Sequence, residues 1–581
     1  MQITNTIHFR NLRGDLFGGL TAAVIALPMA LAFGVASGAG PIAGLWGAVL
    51  VGFFAALFGG TPTLISEPTG PMTVVMTAVV TTLTARNPDN GLAMAFTVVM
   101  LAGLFQIIFG TLRLGKYVTL MPYTVISGFM SGIGLILIIL QTGPMLGESN
   151  PSGGVIGALE AFPKVLANVD DNIIGAGLGL FTVLLLFFTP PQVKRLVPPQ
   201  LLALVIGTLI SVFIFPEAEI TRIRDSFEGG QIPMGLPKFQ IPTFAPDQIN
   251  TMIVDGIVLG MLGCIDSLLT SVIADSLTQT QHDSNKELIG QGLGNLVSGL
   301  CGGLPGAGAT MGTVVNIQAG GRTAVSGLTR ALIMLVIVLW AAPLTESIPM
   351  AVLAGIAFKV GIDIMDWKFL RRAHNLSLRA AAIMYGVMLM TVFYDLITAV
   401  GVGVFVANIL TIQRLADIQA ATVKAVDNPD DDALINQEVR VLMQKAAGRL
   451  LLLDLGGPMS FGAAKAITQR QGILNNYKIL VIDLSDVPLL GVTATLALEK
   501  LIDAAYQKSL VVFIAGGDGK IRKRLQSFDI LDRLPQQNRV SNRLEAMRAA
   551  VALLEQPDGV VAGVSQIGGS QPLSSSGRSE N

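Results

Sequence analysis

The feature that most constrains this chain is a run of 51 residues, from Leu16 through Ser66, that contains no charged side chain. A helix crosses the hydrocarbon core of a membrane with about 20 apolar residues, so this run is long enough for two crossings. Further charge-free stretches lie at 90–112, 117–147, 172–193, 196–216, 288–321 and 396–413. The sequence therefore predicts a polytopic α-helical membrane protein.

The charged residues divide the chain into two parts. Residues 1–413 hold 40 of the 77 charged side chains, whereas the remaining 168 residues hold 37. We therefore predict a transmembrane domain over 1–413, a linker over 414–446, a cytoplasmic domain over 447–556 and a disordered tail over 557–581. The net charge of −1 gives no indication of a nucleic-acid partner.

About fourteen apolar segments in the first part are candidate crossings, two of them short. They are 15–35, 40–60, 69–86, 92–112, 118–142, 172–190, 197–216, 252–274, 287–304, 309–321, 323–344, 347–365, 380–395 and 397–413. Lys and Arg fall in the loops that are cytoplasmic when the N-terminus is inside. An even number of crossings then places both ends of the chain in the cytoplasm.

The two halves of this part resemble each other. The segment that opens at Asp15 resembles the one that opens at Asp255, and the same offset of 240 residues places Thr73 on Thr313. Seven crossings per half is an odd number, so the second half enters the membrane with the opposite polarity. We therefore predict a 7+7 inverted repeat, which is typical of secondary transporters.

Two short helices begin at corresponding places in the repeat. One starts near Thr69, after Ser66-Glu67-Pro68, and the other near Ala309, after the Gly- and Pro-rich stretch 302–306. Gly and Pro interrupt helices, so each helix is expected to begin near mid-membrane. A helix start carries unpaired N–H groups and a partial positive charge. Two facing starts predict an anion site, although close helix packing also explains such residues.

A carboxylate lies in the middle of the crossing at 252–274. Asp266 is costly there without a partner, and Thr270 lies four residues later on the same helix face. Oxygen ligands of this kind suit a hard cation such as Na⁺. A hydrogen-bonded staple between helices and a proton-coupling carboxylate are the alternatives that the residues leave open.

Four further acidic groups receive simpler interpretations. Glu67 is expected to favour the positive end of the helix that follows it. Asp15, Asp255 and Asp395 lie near predicted membrane edges and are expected to be solvated.

Lys359 and Asp363 are four residues apart and are expected to form a local salt bridge near the cytoplasmic surface. No Walker loop, zinc-ligand spacing or Ser/His/Asp set indicates an enzyme.

Short apolar runs in the second part are interpreted as buried strands of an α/β domain. The predicted strands are 449–455, 478–484 and 509–515, and the predicted helices are 461–470, 493–506, 522–528 and 543–554.

Several specific runs carry a resemblance to a known family. They are Glu67-Pro-Thr-Gly-Pro71, Gly18–Pro28, Leu262–Asp266, Gly306–Thr313 and, in the C-terminal domain, Val481–Pro488. With the 7+7 repeat, these runs resemble the SulP anion permeases that carry a C-terminal STAS domain, and within that family the sodium-dependent bicarbonate transporters. The resemblance runs over nearly the whole chain.

The resemblance implies a mechanism and a set of ligands. It implies a core domain of crossings 1–4 and 8–11, a gate domain of crossings 5–7 and 12–14, and a homodimer formed through the STAS domains. It implies Na⁺/bicarbonate symport by an elevator-type motion in the plasma membrane, with no cofactor besides sodium as the coupling ion. The implied sodium ligands are Asp266, Thr270, Gly308 and Thr310, and the implied bicarbonate contacts are Thr69 and Ala309.

Two departures from the family pattern matter for function. Many relatives carry an Arg at the start of the tenth crossing, where this chain has Ala309-Thr310-Met311; a sodium ion beside Asp266 can replace that charge. Regulatory STAS domains carry Asp-Ser after the second strand, where this chain has Gly491-Val492-Thr493, so phosphorylation of a Ser there is excluded and Thr493 is a weak substitute.

Two alternative functions remain open from the sequence. One is Na⁺- or H⁺-coupled transport of sulfate or a dicarboxylate. The other is an anion-binding membrane receptor or scaffold that acts through its STAS domain.

Overall fold

The structure is a computed structural model that forms two compact units, Met1–Ala407 and Asn408–Asn581. It describes every residue except 1–3, 6, 8, 119–121, 149–153, 171, 195–196, 216–219, 227–234, 238, 342–344, 395, 429–435 and 557–581. The predicted disordered tail therefore lies outside the described residues.

The first unit is helical apart from two very short strands. Its elements are α1 (Leu12–Ala36), α2 (Pro41–Phe58), β1 (Ser66–Glu67), α3 (Gly70–Arg86), α4 (Gly91–Thr111), α5 (Gly115–Val118), α6 (Tyr123–Met145), α7 (Gly154–Ala167), α8 (Ile173–Phe188), α9 (Pro191–Lys194), α10 (Pro199–Phe213), α11 (Ile249–Thr278), α12 (Ser284–Leu300), β2 (Ala307–Gly308), α13 (Thr310–Gln318), α14 (Ala324–Val336), α15 (Met350–Ile364), α16 (Trp367–Leu376), α17 (Leu378–Phe393) and α18 (Leu396–Ala421), whose end belongs to the second unit. A 3₁₀ turn at Ile223–Ser226 and a π-helical turn at Ile337–Ala341 complete it.

Each of the fourteen predicted crossings coincides with a helix. By length and composition, six described helices can each span a membrane, namely α1, α2, α4, α6, α11 and the part of α18 from Thr398, and four shorter apolar helices accompany them. The sequence did not predict α5, α7, α9 and α16. The last of these, α16, is amphipathic and carries the exposed basic residues Lys368, Arg371 and Arg372.

The helices pack in two groups. In the first group, α12 packs on α4 and α2, α11 packs on α4, and α14 packs on α1 and α2. In the second group, α15 packs on α6 and α8, α17 packs on α6, and α10 packs on α8. The first group contains β1, β2 and the short helix α13, which has only nine residues.

The second unit is a five-stranded sheet with helices on both faces. Its elements after α18 are β3 (Val423–Val426), α19 (Gln437–Ala446), β4 (Leu450–Gly456), α20 (Phe461–Gln469), a 3₁₀ helix (Arg470–Asn476), β5 (Ile479–Asp486), α21 (Val492–Gln507), β6 (Val511–Gly516), α22 (Lys520–Ser527), a 3₁₀ turn (Gln536–Asn538), β7 (Arg539–Val540) and α23 (Arg543–Glu555). The strand order is β3-β4-β5-β6-β7, and β3 alone is antiparallel to its neighbour. The three predicted strands are β4, β5 and β6, each within two residues of its predicted ends.

The linker predicted over 414–446 needs correction. Strand β3 pairs with β4 from Val423↔Leu455 to Val426↔Leu452, and α19 packs on α23. Val426, Val439 and Met443 are buried in the core on that face of the sheet. These segments were missed because β3 is only four residues long and α19 is rich in charged side chains, so neither shows a long apolar run.

The expectation that Asp15 is solvated is wrong. Its carboxylate is fully buried, and its Oδ1 accepts hydrogen bonds from the backbone N–H groups of Arg322 (2.7 Å) and Thr323 (3.0 Å). Its Oδ2 accepts the hydroxyl of Thr323 at 2.7 Å. Asp15 thus satisfies the free donors that precede α14. Asp255 is partly buried, and Asp395 lies outside the described residues.

Candidate functional site

The two short helices predicted from the sequence are joined by a pair of two-residue strands. Strands β1 and β2 are antiparallel, with Ser66 opposite Gly308 and Glu67 opposite Ala307. Helix α3 begins three residues after Glu67, and α13 begins two residues after Gly308. Because the strands are antiparallel, the chain leaves the pair in opposite directions. The strand pair therefore places two helix starts at one location.

Neither helix start is capped by a side chain. Thr69 precedes α3 and Ala309 precedes α13, both in extended conformations, and neither position makes a side-chain capping bond. The first N–H groups of a helix have no partner within the helix. In α3 these groups exclude Pro71, which has no N–H. The two starts together offer backbone donors and partial positive charge to an anion.

The amide of Ala309 is not one of these free donors. Its N–H donates to the carbonyl of Ile65 at 2.8 Å and extends the strand pair by one bond. Any contact of Ala309 with an anion would therefore use its side chain, while the next amides along α13 remain available to donate.

Helix α11 packs against β2 through a cluster of hydroxyl groups. The hydroxyl of Thr270 donates to the carbonyl of Gly308 at 2.9 Å and lies 2.9 Å from the hydroxyl of Thr310. One turn earlier, the Ser267 hydroxyl accepts the N–H of Gly308 at 3.0 Å. A Cβ atom at Gly308 would lie 3.1 Å from the Cα of Ser267, so this close approach needs glycine. Three of the four predicted sodium ligands thus lie in mutual contact.

Asp266 provides the remaining predicted ligand. Its Oδ2 is buried and has no hydrogen-bond partner among the described residues, and the same is true of the Thr69 hydroxyl. The Thr69 hydroxyl and the Asp266 carboxylate lie near each other, close enough for a weak hydrogen bond. Buried polar atoms are nearly always hydrogen-bonded in folded proteins, so two neighbouring oxygens that lack a well-formed hydrogen bond indicate room for a ligand. Carboxylate, hydroxyl and carbonyl oxygens are the donors that a hard cation accepts.

A buried ion pair next to the site was not predicted from the sequence. Arg330 of α14 donates to the carboxylate of Glu67 at 2.5 Å and also to the carbonyls of Ala48 (2.7 Å) and Ser66 (2.9 Å). Both charged side chains are buried. Glu67 thus forms an ion pair with Arg330 that was not predicted, and its effect on the start of α3 stays a prediction. The sequence does indicate this pair, because Arg330 lies inside the predicted crossing 323–344 and needs a partner there as much as Asp266 does in its own crossing.

A cavity of about 590 Å³ with a mixed polar and apolar lining adjoins α13. Its lining includes Met311 and Val315 of α13, Gln200 at the start of α10, and the pair Lys359 and Asp363 of α15. The Lys359 ammonium donates to Asp363 at 2.5 Å and lies 4.7 Å from the ring centre of Phe187. The predicted local salt bridge is confirmed, and it lines the cavity.

Comparisons with known proteins agree with this fold. The model of the sulfate permease family matches residues 12–387, and the STAS domain model matches residues 442–546. The chain is 59% identical over 572 residues to the bicarbonate transporter BicA of Picosynechococcus sp., covering 98% of this chain and 100% of that protein. It is 60% identical over 554 residues to the BicA of Synechocystis sp., covering 95% and 97% of the two chains.

Solved structures extend the comparison to both units. The transmembrane domain of a cyanobacterial BicA superposes with a TM-score of 0.65 at 67% identity, covering 69% of this chain and all of that one. The structure of SLC26A9 superposes with a TM-score of 0.78 over 96% of this chain and 93% of that one, and at 18% identity it shows a shared fold alone. This chain therefore belongs to the sulfate permease family of multi-pass membrane transporters and carries a C-terminal STAS domain.

Proposed function

We propose that this protein takes up bicarbonate together with sodium. The observation that carries the proposal is the meeting of two uncapped helix starts with the carboxylate of Asp266, whose buried Oδ2 makes no well-formed hydrogen bond with the described residues, at one place in the membrane unit. Helix starts favour an anion, and the carboxylate favours a cation. That the cyanobacterial relatives are named bicarbonate transporters supports bicarbonate as the anion.

Each residue of the site has a distinct role in this proposal. Sodium binds the Asp266 carboxylate, the hydroxyls of Thr270 and Thr310 and the carbonyl of Gly308. Bicarbonate binds at the starts of α3 and α13, in contact with Thr69 and Ala309. The hydroxyl of Thr69 makes no well-formed hydrogen bond with a described residue, so in this proposal it turns from the neighbouring Asp266 and donates to the anion.

The charges at the site explain why the two ligands travel together. No Lys or Arg occurs at 309–311, and the nearby guanidinium of Arg330 is neutralised by Glu67. With Asp266 ionised and sodium absent, an anion meets a negative charge in a medium of low dielectric constant. Bound sodium removes that repulsion, so the inward sodium gradient supplies the driving force for uptake.

The motion that we propose is an elevator-type displacement of one helix group against the other. The core consists of α1–α4 and α11–α14, and the gate of α6, α8, α10, α15, α17 and α18, which together make fourteen crossings in two inverted halves. Packing within each group supports this division. The pairing of β1 with β2 joins elements at corresponding positions of the two predicted halves, which supports an inverted repeat.

The cellular setting follows from the same proposal. The protein lies in the plasma membrane with both termini in the cytoplasm, and it forms a homodimer through its STAS domains. Basic residues on α16, between α15 and α17, support a cytoplasmic position for that loop.

Uptake of labelled bicarbonate into proteoliposomes tests the function. Sodium on the outside should stimulate uptake by wild-type protein, and Asp266→Asn should lower the stimulated rate by about a hundredfold, near the upper end of typical coupling free energies. Asp255→Asn, a change of the same kind on the same helix, is the matched control and should retain uptake.

Two results would reject the proposal. Undiminished bicarbonate uptake in the absence of sodium excludes sodium coupling. The second result is inhibition of labelled bicarbonate uptake by unlabelled sulfate or dicarboxylate at a lower concentration than unlabelled bicarbonate needs. That result would assign the site to the competing anion, in agreement with the family's name.

A further inference from the structure

Helix α12 carries a line of buried polar side chains although it lies inside the helix bundle. Glu287, Gln291, Asn295 and Ser298 are each at most 1% exposed. Their spacing of four, four and three residues places them on one face of the helix. Buried polar groups in a membrane are costly and are kept where they are needed, so the hydrogen-bond partners of these four side chains indicate what the face does.

The first half of this polar face holds the segment that leads into α3. The Glu287 Oε2 accepts the N–H groups of Gly60 (2.9 Å) and Thr61 (2.8 Å), which follow α2. The Gln291 amide donates to Glu287 Oε1 at 2.8 Å and to the Ser66 hydroxyl in β1 at 2.6 Å. Ser66 lies three residues before Thr69.

The second half of the face holds the segment that leads into α13. The Asn295 amide donates to the carbonyl of Gly306 at 2.9 Å, and its Oδ1 accepts the N–H of Gly306 at 2.7 Å. The Ser298 hydroxyl donates to the carbonyl of Leu304 at 2.7 Å. Asn295 thus pairs with both backbone groups of Gly306 as a neighbouring strand would, two residues before Gly308.

The same face also reaches α11. The Asn295 amide donates to Gln106 Oε1 at 2.8 Å, and the Gln106 amide donates to the carbonyl of Gly260 at 3.2 Å. A Cβ atom at Gly263 would lie 2.4 Å from the Gln106 amide nitrogen, so α11 passes close to this amide three residues before Asp266.

An ordinary structural explanation is that these side chains only satisfy one another. Such a role would not require a particular set of partners. The partners observed here are the lead-in to α3, the lead-in to α13 and, through Gln106, helix α11, which are the three segments that carry every proposed ligand.

We infer that α12 is the positioning helix of the transport site. Through Gln291 and Asn295 it sets the separation between the two helix starts and their position relative to Asp266, without contacting either ligand. The inference rests on the proposed function for the identity of the ligands. The residues that surround a site hold its groups in place to within about 0.5 Å. Loss of the hydrogen bonds made by Gln291 or Asn295 should therefore weaken ligand binding before it abolishes transport.

The test compares Gln291→Leu and Asn295→Leu with Gln141→Leu in the full-length protein. Gln141 is an equally buried amide on α6 with none of these partners, so Gln141→Leu is the matched control. Half-saturating sodium and bicarbonate concentrations and the maximal rate per folded transporter are measured in proteoliposomes. We expect the two α12 variants to raise half-saturating sodium about tenfold while the maximal rate changes by less than about threefold, and the control to change neither.

The outcomes separate the inference from its alternatives. If the α12 variants lower the folded amount or the maximal rate but leave half-saturation as in wild type, the face is only structural and the inference is overturned. If the leucine variants do not fold, Ser298→Ala, which removes only the bond to Leu304, should still raise half-saturating sodium about twofold to threefold; an unchanged value overturns the inference. If wild-type uptake proves independent of sodium, the proposed function fails, and half-saturating bicarbonate in the same variants decides the role of α12.

Discussion

The two units bury polar side chains in opposite ways. In the C-terminal α/β unit, Asp483, Thr495 and Asn538 are the buried polar side chains among its described residues, and β4, β5 and β6 form an apolar sheet. In the membrane unit, buried polar side chains concentrate around β1, β2 and α12. The sheet satisfies its own backbone, whereas interrupted helices within a membrane need side chains to do so. Polar burial therefore supports the fold in one unit and surrounds the proposed transport site in the other.

The strongest way to break this arrangement is to separate Glu67 from Arg330. Arg330→Met leaves a buried carboxylate without its partner, which should cost about 3–5 kcal/mol of stability. The expected result is a large drop in the temperature at which the detergent-solubilised protein loses its monodisperse peak in size-exclusion chromatography. The double variant with Glu67→Gln should recover most of the loss, though not all, because Arg330 also holds the Ser66 carbonyl. A double variant as unstable as Arg330→Met would show that the pair itself contributes little.

The corresponding change in the C-terminal unit should have a smaller effect. Arg543 bonds Asp454 at 2.5 Å and also bonds Asp483, at the carboxyl ends of β4 and β5. Arg543→Met leaves the buried Asp483 unpaired, for an expected loss of about 1–3 kcal/mol, measured as faster hydrogen exchange of the β5 amides in the full-length protein.

Arg533→Met serves as the control for Arg543→Met. Arg533 pairs with Glu499 and Asp503 on the surface and its side chain is 41% exposed, so the loss should stay below about 1 kcal/mol. Equal protection in both variants would contradict the assignment of Asp483 as a buried charge.

The smallest predicted effect concerns Tyr477 and pH. Partial burial and a hydrogen bond to the Asp427 carboxylate raise the pKa of Tyr477 from 10.0 to about 12. Because the folded value is the higher one, this bond stabilises the unit fully below pH 10.0 and is lost as the pH rises through about 12. A tyrosinate absorbance titration of wild type minus Tyr477→Phe should therefore show one group ionising near pH 12; ionisation near 10 would contradict the bond.

Local pattern was sufficient to predict most helices and strands. The crossing predicted at 252–274 is α11 (Ile249–Thr278), and the strand predicted at 478–484 is β5 (Ile479–Asp486). Membrane-spanning helices and buried parallel strands can be predicted from the hydrophobicity of consecutive residues. The four-residue β3 was missed because its burial depends on a partner strand and not on its own composition.

The contacts that build the site could not be read in the same way. Arg330 and Glu67 are 263 residues apart, and the pairing of β1 with β2 rests on two residues in each strand. Position and spacing indicated Asp266 and Thr270 as possible cation ligands, Gly308 and Thr310 came from family resemblance, and all four roles stay predictions. The polar face of α12 could have been predicted, because Glu287, Gln291 and Asn295 follow a strict four-residue spacing within a predicted crossing.

The antiparallel pair of β1 and β2 has a consequence for the energetics of binding. Both helix starts depend on the same few backbone bonds, and Gly306 passes so close to Glu67 that a Cβ atom there would lie 2.8 Å from its carbonyl carbon. Under the proposed function, sodium bound at Gly308 and bicarbonate bound at Thr69 would therefore act on the same backbone segment. Thermodynamic reciprocity then applies: if bound cation raises the affinity for the anion by some factor, bound anion raises the affinity for the cation by the same factor. Two binding isotherms, each recorded with and without the other ligand, should yield one and the same factor.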